Sequence, residues 1–380
     1  MKINTLYFLT LITLLSCSKQ INVFRTGTFN STNYCDSLSY DKNDKFIVLP
    51  VIINGNPRKM MFDTGADFVV FPEDSSDSKI KCNLKDANGN LTQCNVIPIQ
   101  FLGMSNNNIA NLYSVSLNLP APFLCFCNGI IGNNVIKSSN WLIDQNKIVF
   151  SDRPFNNLVK QVSLDIFYYD SNRLFSNVII NGNRLDTCLI DYGGLYDDIE
   201  MSKSYYERNL TRFKPNKITR QIRTSYGANG KSLPDTIFSL NCNINFNGLK
   251  IDSVNIVIKN KGENLIGFQF LKRFEKVAIN NTNKKLVFGN LLKTTTTLQK
   301  ECLFSFDLIN GFFVVASKIL NEPNSSGLNI DDKFIEINTI KSSDFKSYCE
   351  FLVFKDSLIK FEYLNLKTID NKMIKINNRR

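Results

Sequence analysis

Val51-Ile52-Ile53-Asn54-Gly55-Asn56 recurs unchanged as Val178-Ile179-Ile180-Asn181-Gly182-Asn183. An apolar, β-branched run that ends in Asn-Gly reads as a strand entering a tight hairpin, because both turn residues accept positive φ. A second strand follows each turn. The first ends in Met61-Phe62-Asp63-Thr64-Gly65 and the second in Leu189-Ile190-Asp191-Tyr192-Gly193. Aligning the two acids requires one extra residue in the second copy. The match continues downstream. Asp86-Ala87-Asn88-Gly89-Asn90 corresponds to Gly227-Ala228-Asn229-Gly230-Lys231, and Gly129-Ile130-Ile131-Gly132 to Asn264-Leu265-Ile266-Gly267. Both copies close on a strand pair: Trp141–Asp144 with Lys147–Phe150, and Val277–Asn280 with Lys285–Phe288. Landmarks repeating in one order indicate an internal duplication.

Short β-branched and aromatic runs, separated by Asn-Gly, Asn-Pro and Ser/Asp clusters, predict a mostly β chain. Within the copies helix is sparse and expected around 133–139 and 268–275, and 153–171 is expected to join them. The 380 residues are 43% hydrophobic and 12% aromatic, enough for ordinary cores in two or three domains. Asp86 opposite Asn90 across a three-residue tip sets Leu84 opposite Thr92 and Cys82 opposite Cys94, a spacing that can admit a disulfide. Cys125-Phe126-Cys127 reads as packing rather than as a metal site.

Histidine is absent from the chain. Ser-His-Asp and Cys-His nucleophilic systems and His-ligated zinc are therefore excluded. The net charge of +11 is spread without a dense Lys/Arg block, so no nucleic-acid partner is expected. No cofactor or metal is called for. Carboxylate chemistry remains. Asp63 and Asp191 occupy equivalent glycine turns, and pairing the copies would bring them together. Two touching carboxylates do not both ionise readily; they share a proton, one apparent pKa falling low and the other rising. The ionised member can deprotonate a water while the protonated member donates to a carbonyl oxygen.

With these residues in view, the chain resembles the retropepsin-like aspartic peptidases. Phe62-Asp63-Thr64-Gly65-Ala66-Asp67 is similar to the active-site signature of retroviral proteases, and Gly129–Ile136 to the family's second signature. The layout over roughly 46–290 resembles the duplicated, exported aspartyl proteases of Bacteroidetes-type bacteria. The resemblance implies a bilobal pair of β-barrels with pseudo-twofold symmetry, with lobes at 46–155 and 172–292. It implies a catalytic Asp63–Asp191 pair supported by Thr64, Gly65 and Gly193. Flap tips at Asn88, Gly89, Asn229 and Gly230 would cover a peptide or protein substrate. Two positions depart from the pattern. Tyr192 stands where the family carries Thr or Ser, and Asn133 stands where retroviral enzymes carry Arg, which leaves Asp67 without its usual partner. A catalytically degenerate, peptide-binding relative of the same fold is the alternative.

The ends carry separate signals. Lys2 and the apolar Leu6–Leu15 run fit a signal peptide over 1–16. Leu14-Leu15-Ser16-Cys17 resembles a bacterial lipobox, which implies lipidation at Cys17, a membrane partner through that anchor, a linker over 17–45 and a cell-envelope location. Thr294–Thr297 reads as a linker. The last segment, 300–380, resembles a small α+β PDZ domain, with Gly311, Phe312 and Phe313 as its carboxylate loop, Asp331 where Gly is usual, a helix over 343–354 and a C-terminal peptide as its implied ligand.

Overall fold

The computed structural model describes residues 25–40, 46–72, 80–86, 88–169, 172–194, 197–227, 230–260, 262–292, 302–320 and 327–378. The signal peptide, Cys17, Ala87, Ala228, Asn229 and the Thr294–Thr297 linker lie outside these residues. The protein is mostly β, built from curled sheets.

Both Val-Ile-Ile-Asn-Gly-Asn segments form hairpins. Asn54 and Gly55 have φ of 50° and 85°, and Asn181 and Gly182 have 52° and 79°. These are the paired left-handed positions that a two-residue hairpin turn demands. The strand order that follows is the same in each copy. In the first it runs Val48–Ile53, Asn56–Phe62, Gly129–Ile131, Val69–Phe71, Leu112–Ser116, Leu91–Ile99, Lys81–Lys85. In the second it runs Leu174–Ile180, Asn183–Asp191, Leu265–Gly267, Ile199–Ser202, Leu249–Lys259, Asp235–Phe246, Pro215–Arg223. The succession of antiparallel and parallel pairings also matches, step for step.

The extra residue of the second copy has a location. The first hairpin pairs without a break from Ile53↔Asn56 to Val48↔Met61. In the second, the register jumps between Val178↔Leu185 and Ser176↔Cys188, so Asp186 and Thr187 oppose Asn177 alone. Thr187 takes φ 54° and its amide donates to Asn177 Oδ1 at 2.9 Å. This β-bulge absorbs one residue and restores the in/out alternation before Asp191.

The closing strand pairs of the two copies join one sheet. Its order is Cys35–Ser39, Lys147–Ser151, Asn140–Ile143, Val277–Asn280, Lys285–Phe288, Val162–Tyr168. The central pair is antiparallel, with Leu142 opposite Ala278. One hydrophobic core runs beneath both copies and includes Phe62, Trp141, Phe150, Tyr192, Phe246 and Phe288. Each such side chain contributes about 1.5–3 kcal/mol on burial. Residues 153–171 are more than a connection, since Val162–Tyr168 is a strand of this sheet. The helices are shorter than expected, at Asn133–Ile136 and Phe268–Leu271.

The C-terminal segment has its own core, which includes Phe306, Phe313, Phe334 and Phe351. Its strands run Phe304–Ile309, Phe312–Ile319, Lys333–Ile337, Tyr363–Thr368 and Met373–Asn377. The expected helix at 343–354 is a 3-10 turn at Ser342–Asp344 followed by a helix at Tyr348–Ser357, which Ser347 caps. The carboxylate loop expected at Gly311, Phe312 and Phe313 is not an open amide cradle. Asn310 and Gly311 have φ of 51° and 76°, Phe312 pairs with Ile309, and Phe313 is buried. The segment is a two-residue hairpin turn. Among the described residues no helix is long and apolar enough to cross a membrane.

Candidate active site

Asp63 and Asp191 each end a strand and begin a turn. The Asp63 amide donates to Ile131 O at 3.0 Å, and Asp191 lies beside Gly267 on the neighbouring parallel strand. Gly65 N donates to Asp63 Oδ1 at 2.7 Å, and Gly193 N donates to Asp191 Oδ1 at 2.7 Å. Ala66 N reaches Asp63 O at 3.4 Å and Gly194 N reaches Asp191 O at 3.3 Å. The two turns are therefore built alike.

They also face one another. A Cβ on Gly65 would lie 2.6 Å from Asp191 Oδ1, and a Cβ on Gly193 would lie 2.5 Å from Asp63 Oδ1. Each glycine is required by the carboxylate of the other turn, because no larger residue allows so close an approach. The two carboxyl groups are hydrogen-bonded to each other, and both keep partial contact with solvent. Burial pushes both above the ordinary carboxylate range. Asp191 is raised further by the negative charge of Asp63, and the hydrogen bond between them couples the two groups. The pair therefore holds its shared proton to a higher pH than an isolated carboxyl would. The sequence reading expected one value to fall low. Desolvation outweighs that and lifts both.

Thr64 crosses between the turns. Fully buried, its hydroxyl donates to Ile190 O at 2.6 Å and accepts from Tyr192 N at 3.0 Å. Tyr192 returns no such bond. Its ring is buried against Phe62, with centroids 5.7 Å apart, and against Phe268 at 6.1 Å, and its hydroxyl has no partner. The phenol is thus directed into the core, and only the Tyr192 backbone serves the junction.

Asn133 takes a bracing role that its sequence position did not announce. Its Nδ2 donates to Thr64 O at 2.6 Å and to Ala66 O at 3.0 Å, fixing the first turn. Asp67 has a partner after all. Arg173 Nε from the second copy lies 3.9 Å away, while the rest of that guanidinium engages Glu263. Burial lifts the Asp67 carboxyl to about 7, opposed by Arg173 and reinforced by Glu263.

Sequence reasoning also missed an ion-pair cluster behind the second turn. Arg223 Nη2 meets Asp197 Oδ2 at 2.6 Å, Arg273 Nη2 meets Asp198 Oδ2 at 2.7 Å, and Lys259 pairs with Glu200. The signal was the acidic run Asp197-Asp198-Ile199-Glu200 directly after the turn, since buried carboxylates need partners.

The two tip hairpins meet. Ser225 Oγ donates to Asn88 Oδ1 at 2.8 Å, Asn88 Nδ2 donates to Gly230 O at 3.4 Å, and Gly227 lies against Asp86. Gly89 and Gly230 have φ of 84° and 118°. Cys82 stands opposite Cys94 and Leu84 opposite Thr92, in the expected register. Both thiols are free, and the disulfide lies instead between Cys125 and Cys349. Cys125 is therefore not a packing residue. A separate cavity of about 250 Å³ is lined by Tyr40, Asp144, Tyr192, Phe268 and Lys272 among others, and neither Asp63 nor Asp191 borders it.

No protein-family model matches the chain, and no curated protein matches it.

Proposed function

We propose that the chain is an aspartic endopeptidase of retropepsin-like architecture, with pseudo-twofold lobes at 46–155 and 172–292, and a PDZ-like unit over 300–380. The observation that carries this reading is the reciprocal contact of the two turns, in which each glycine abuts the opposite carboxylate and the carboxyls share a hydrogen bond. The identical strand order of the copies supports the lobes. Asp331, with φ 69°, supports the PDZ-like unit, since it adopts the backbone of the glycine usual there.

In the proposed reaction a water sits between the carboxyls. Asp63 takes its proton as the water oxygen attacks the peptide carbonyl carbon, and Asp191 gives its proton to the carbonyl oxygen. Collapse of the tetrahedral diol then breaks the C–N bond, as Asp63 passes its proton to the leaving nitrogen and Asp191 regains one from a diol hydroxyl. No side chain is acylated. Thr64 and Asn133 hold the turns so that little reorganisation accompanies the charge shift. The assay is cleavage of a diverse peptide pool by wild type and by Asp63→Asn. Hydrolysis is expected only from the former.

The lipid anchor is proposed at Cys17 on the lipobox resemblance. Cys17→Ser should release the protein in soluble form or leave its signal uncleaved. Detergent-dependent fractionation of a cleaved Cys17→Ser protein would argue against an anchor there.

A further inference from the structure

The second tip hairpin is gripped from outside by the C-terminal unit. Its strand Pro215–Arg223 adds to the edge of Phe312–Ile319, with Gln221 opposite Ile319, Ile222 opposite Lys318 and Arg223 opposite Ser317. The contact extends in both directions: Thr224 N donates to Ala316 O at 3.1 Å, and Leu320 N donates to Arg220 O at 2.7 Å. At the tip, Tyr226 donates its phenol to the buried carboxylate of Asp307, which also accepts from Tyr348. Lys231 Nζ lies 3.7 Å from Asp331 Oδ1.

The same C-terminal unit is covalently tied to the first copy. Cys349, in the helix that also carries Tyr348, is bonded to Cys125, which follows the short helix Ala121–Leu124. The two helices pack together. A closed mechanical circuit results. It runs from the first copy through the disulfide to Tyr348–Ser357, through the C-terminal core to Phe312–Ile319, and across the ladder to the second hairpin. The two tips then touch, which completes the ring. The second hairpin cannot move away from the first copy unless the ladder tears or the C-terminal unit travels with it. The disulfide forbids the second route. A short ladder alone is a weak restraint, whereas a cross-link spanning 224 residues removes much of the freedom of an undocked unit.

We propose that the C-terminal unit is a redox-secured latch on the second tip hairpin, and that reduction of Cys125–Cys349 by a dithiol frees this hairpin to open. The inference rests on the peptidase reading, in which the tip hairpins cover the bound peptide. Cys349 is the more exposed of the two cysteines, and the attack is drawn at its sulfur. A thiolate of the dithiol attacks Cys349 Sγ and displaces the Cys125 thiolate, which takes a proton. The second thiol of the reagent then attacks the mixed disulfide and releases Cys349 as a thiol. The dithiol leaves as its own disulfide, having supplied two electrons.

Hydrogen exchange of the full chain tests this apart from catalysis. Peptides covering 215–232 are followed in oxidised protein, in protein reduced with dithiothreitol, and in Cys349→Ser. The latch predicts exchange in this hairpin at least about tenfold faster in both thiol states, with the six-stranded sheet unchanged. Tyr226→Phe, which removes one donor to Asp307, should speed exchange of the tip with the disulfide intact. Unchanged hairpin exchange after complete reduction, or a rise spread evenly over the whole chain, overturns the latch. Faster hairpin exchange with no peptide cleaved in any state keeps the latch and removes the peptidase reading.

Discussion

One hydroxyl, that of Thr64, joins the two turns through a donated and an accepted hydrogen bond. Thr64→Val leaves Ile190 O and Tyr192 N buried without this partner, and each orphan costs about 1–3 kcal/mol. Urea denaturation should therefore show a loss of roughly 2–4 kcal/mol, whereas Thr64→Ser should stay near wild type. A Thr64→Val protein as stable as wild type would mean that the junction is held elsewhere. Tyr192 calls for the opposite experiment. Its ring fills core space beside Phe62 and Phe268, so Tyr192→Thr, the change that restores a small hydroxyl, would leave a cavity costing about 3–5 kcal/mol. Tyr192→Phe keeps the packing and removes only the unpartnered hydroxyl. It should leave cleavage intact and raise stability by on the order of 1 kcal/mol. Lower stability in Tyr192→Phe would show that the hydroxyl has a use.

At the scale of the strand, the bulge at Asp186–Thr187 makes a sharper statement. Removing Thr187 gives the second copy the spacing of the first, seven residues from hairpin turn to acid, and keeps Asp191 facing Asp63. Removing Lys59 from the unbulged first strand instead turns every residue after it to the opposite face. The Thr187 deletion is expected to fold and cleave, and the Lys59 deletion to do neither; circular dichroism and the peptide assay read both. A dead Thr187 deletion beside a working Lys59 deletion would reverse the assignment of register. Asn-Gly dipeptides announced both duplicated hairpins because the turn chemistry is local. The gap between the aligned acids announced one surplus residue, but its place depended on Asn177 offering a side chain to the Thr187 amide. Asn310-Gly311 carries the same hairpin signal, and there the local rule of a tight turn prevails over the resemblance to a ligand loop. Cys125–Cys349 was out of reach, because docking of the C-terminal unit sets that pairing and no local pattern encodes it. The inward turn of the Tyr192 ring likewise depends on space beside Phe62 and Phe268, which the triplet Asp191-Tyr192-Gly193 does not record.

For the whole molecule, the dyad carries a stability cost with a definite sign. Burial raises the folded-state values of Asp63 and Asp191 above those of the unfolded chain. The folded state thus binds more protons, and stability declines as pH rises from the ordinary carboxylate value toward the raised folded values. Asp191→Asn removes the second charge. Near neutral pH it should be more stable than wild type by on the order of 1 kcal/mol, a difference that vanishes in acid. Thermal melts across pH check this, and a gap that widens toward acid would contradict the raised values. The central claim is that two lobes bring Asp63 and Asp191 into one hydrolytic site. Its most direct test is cleavage of a diverse peptide pool across pH, by oxidised and dithiol-treated full-length protein, comparing wild type with Asp63→Asn. The account predicts a bell-shaped profile with both limbs above the ordinary carboxylate value of 3.8, and a loss of at least about a hundredfold in the folded Asn variant. Full activity in Asp63→Asn, or peptides bound but uncleaved at every pH in wild type, would contradict it.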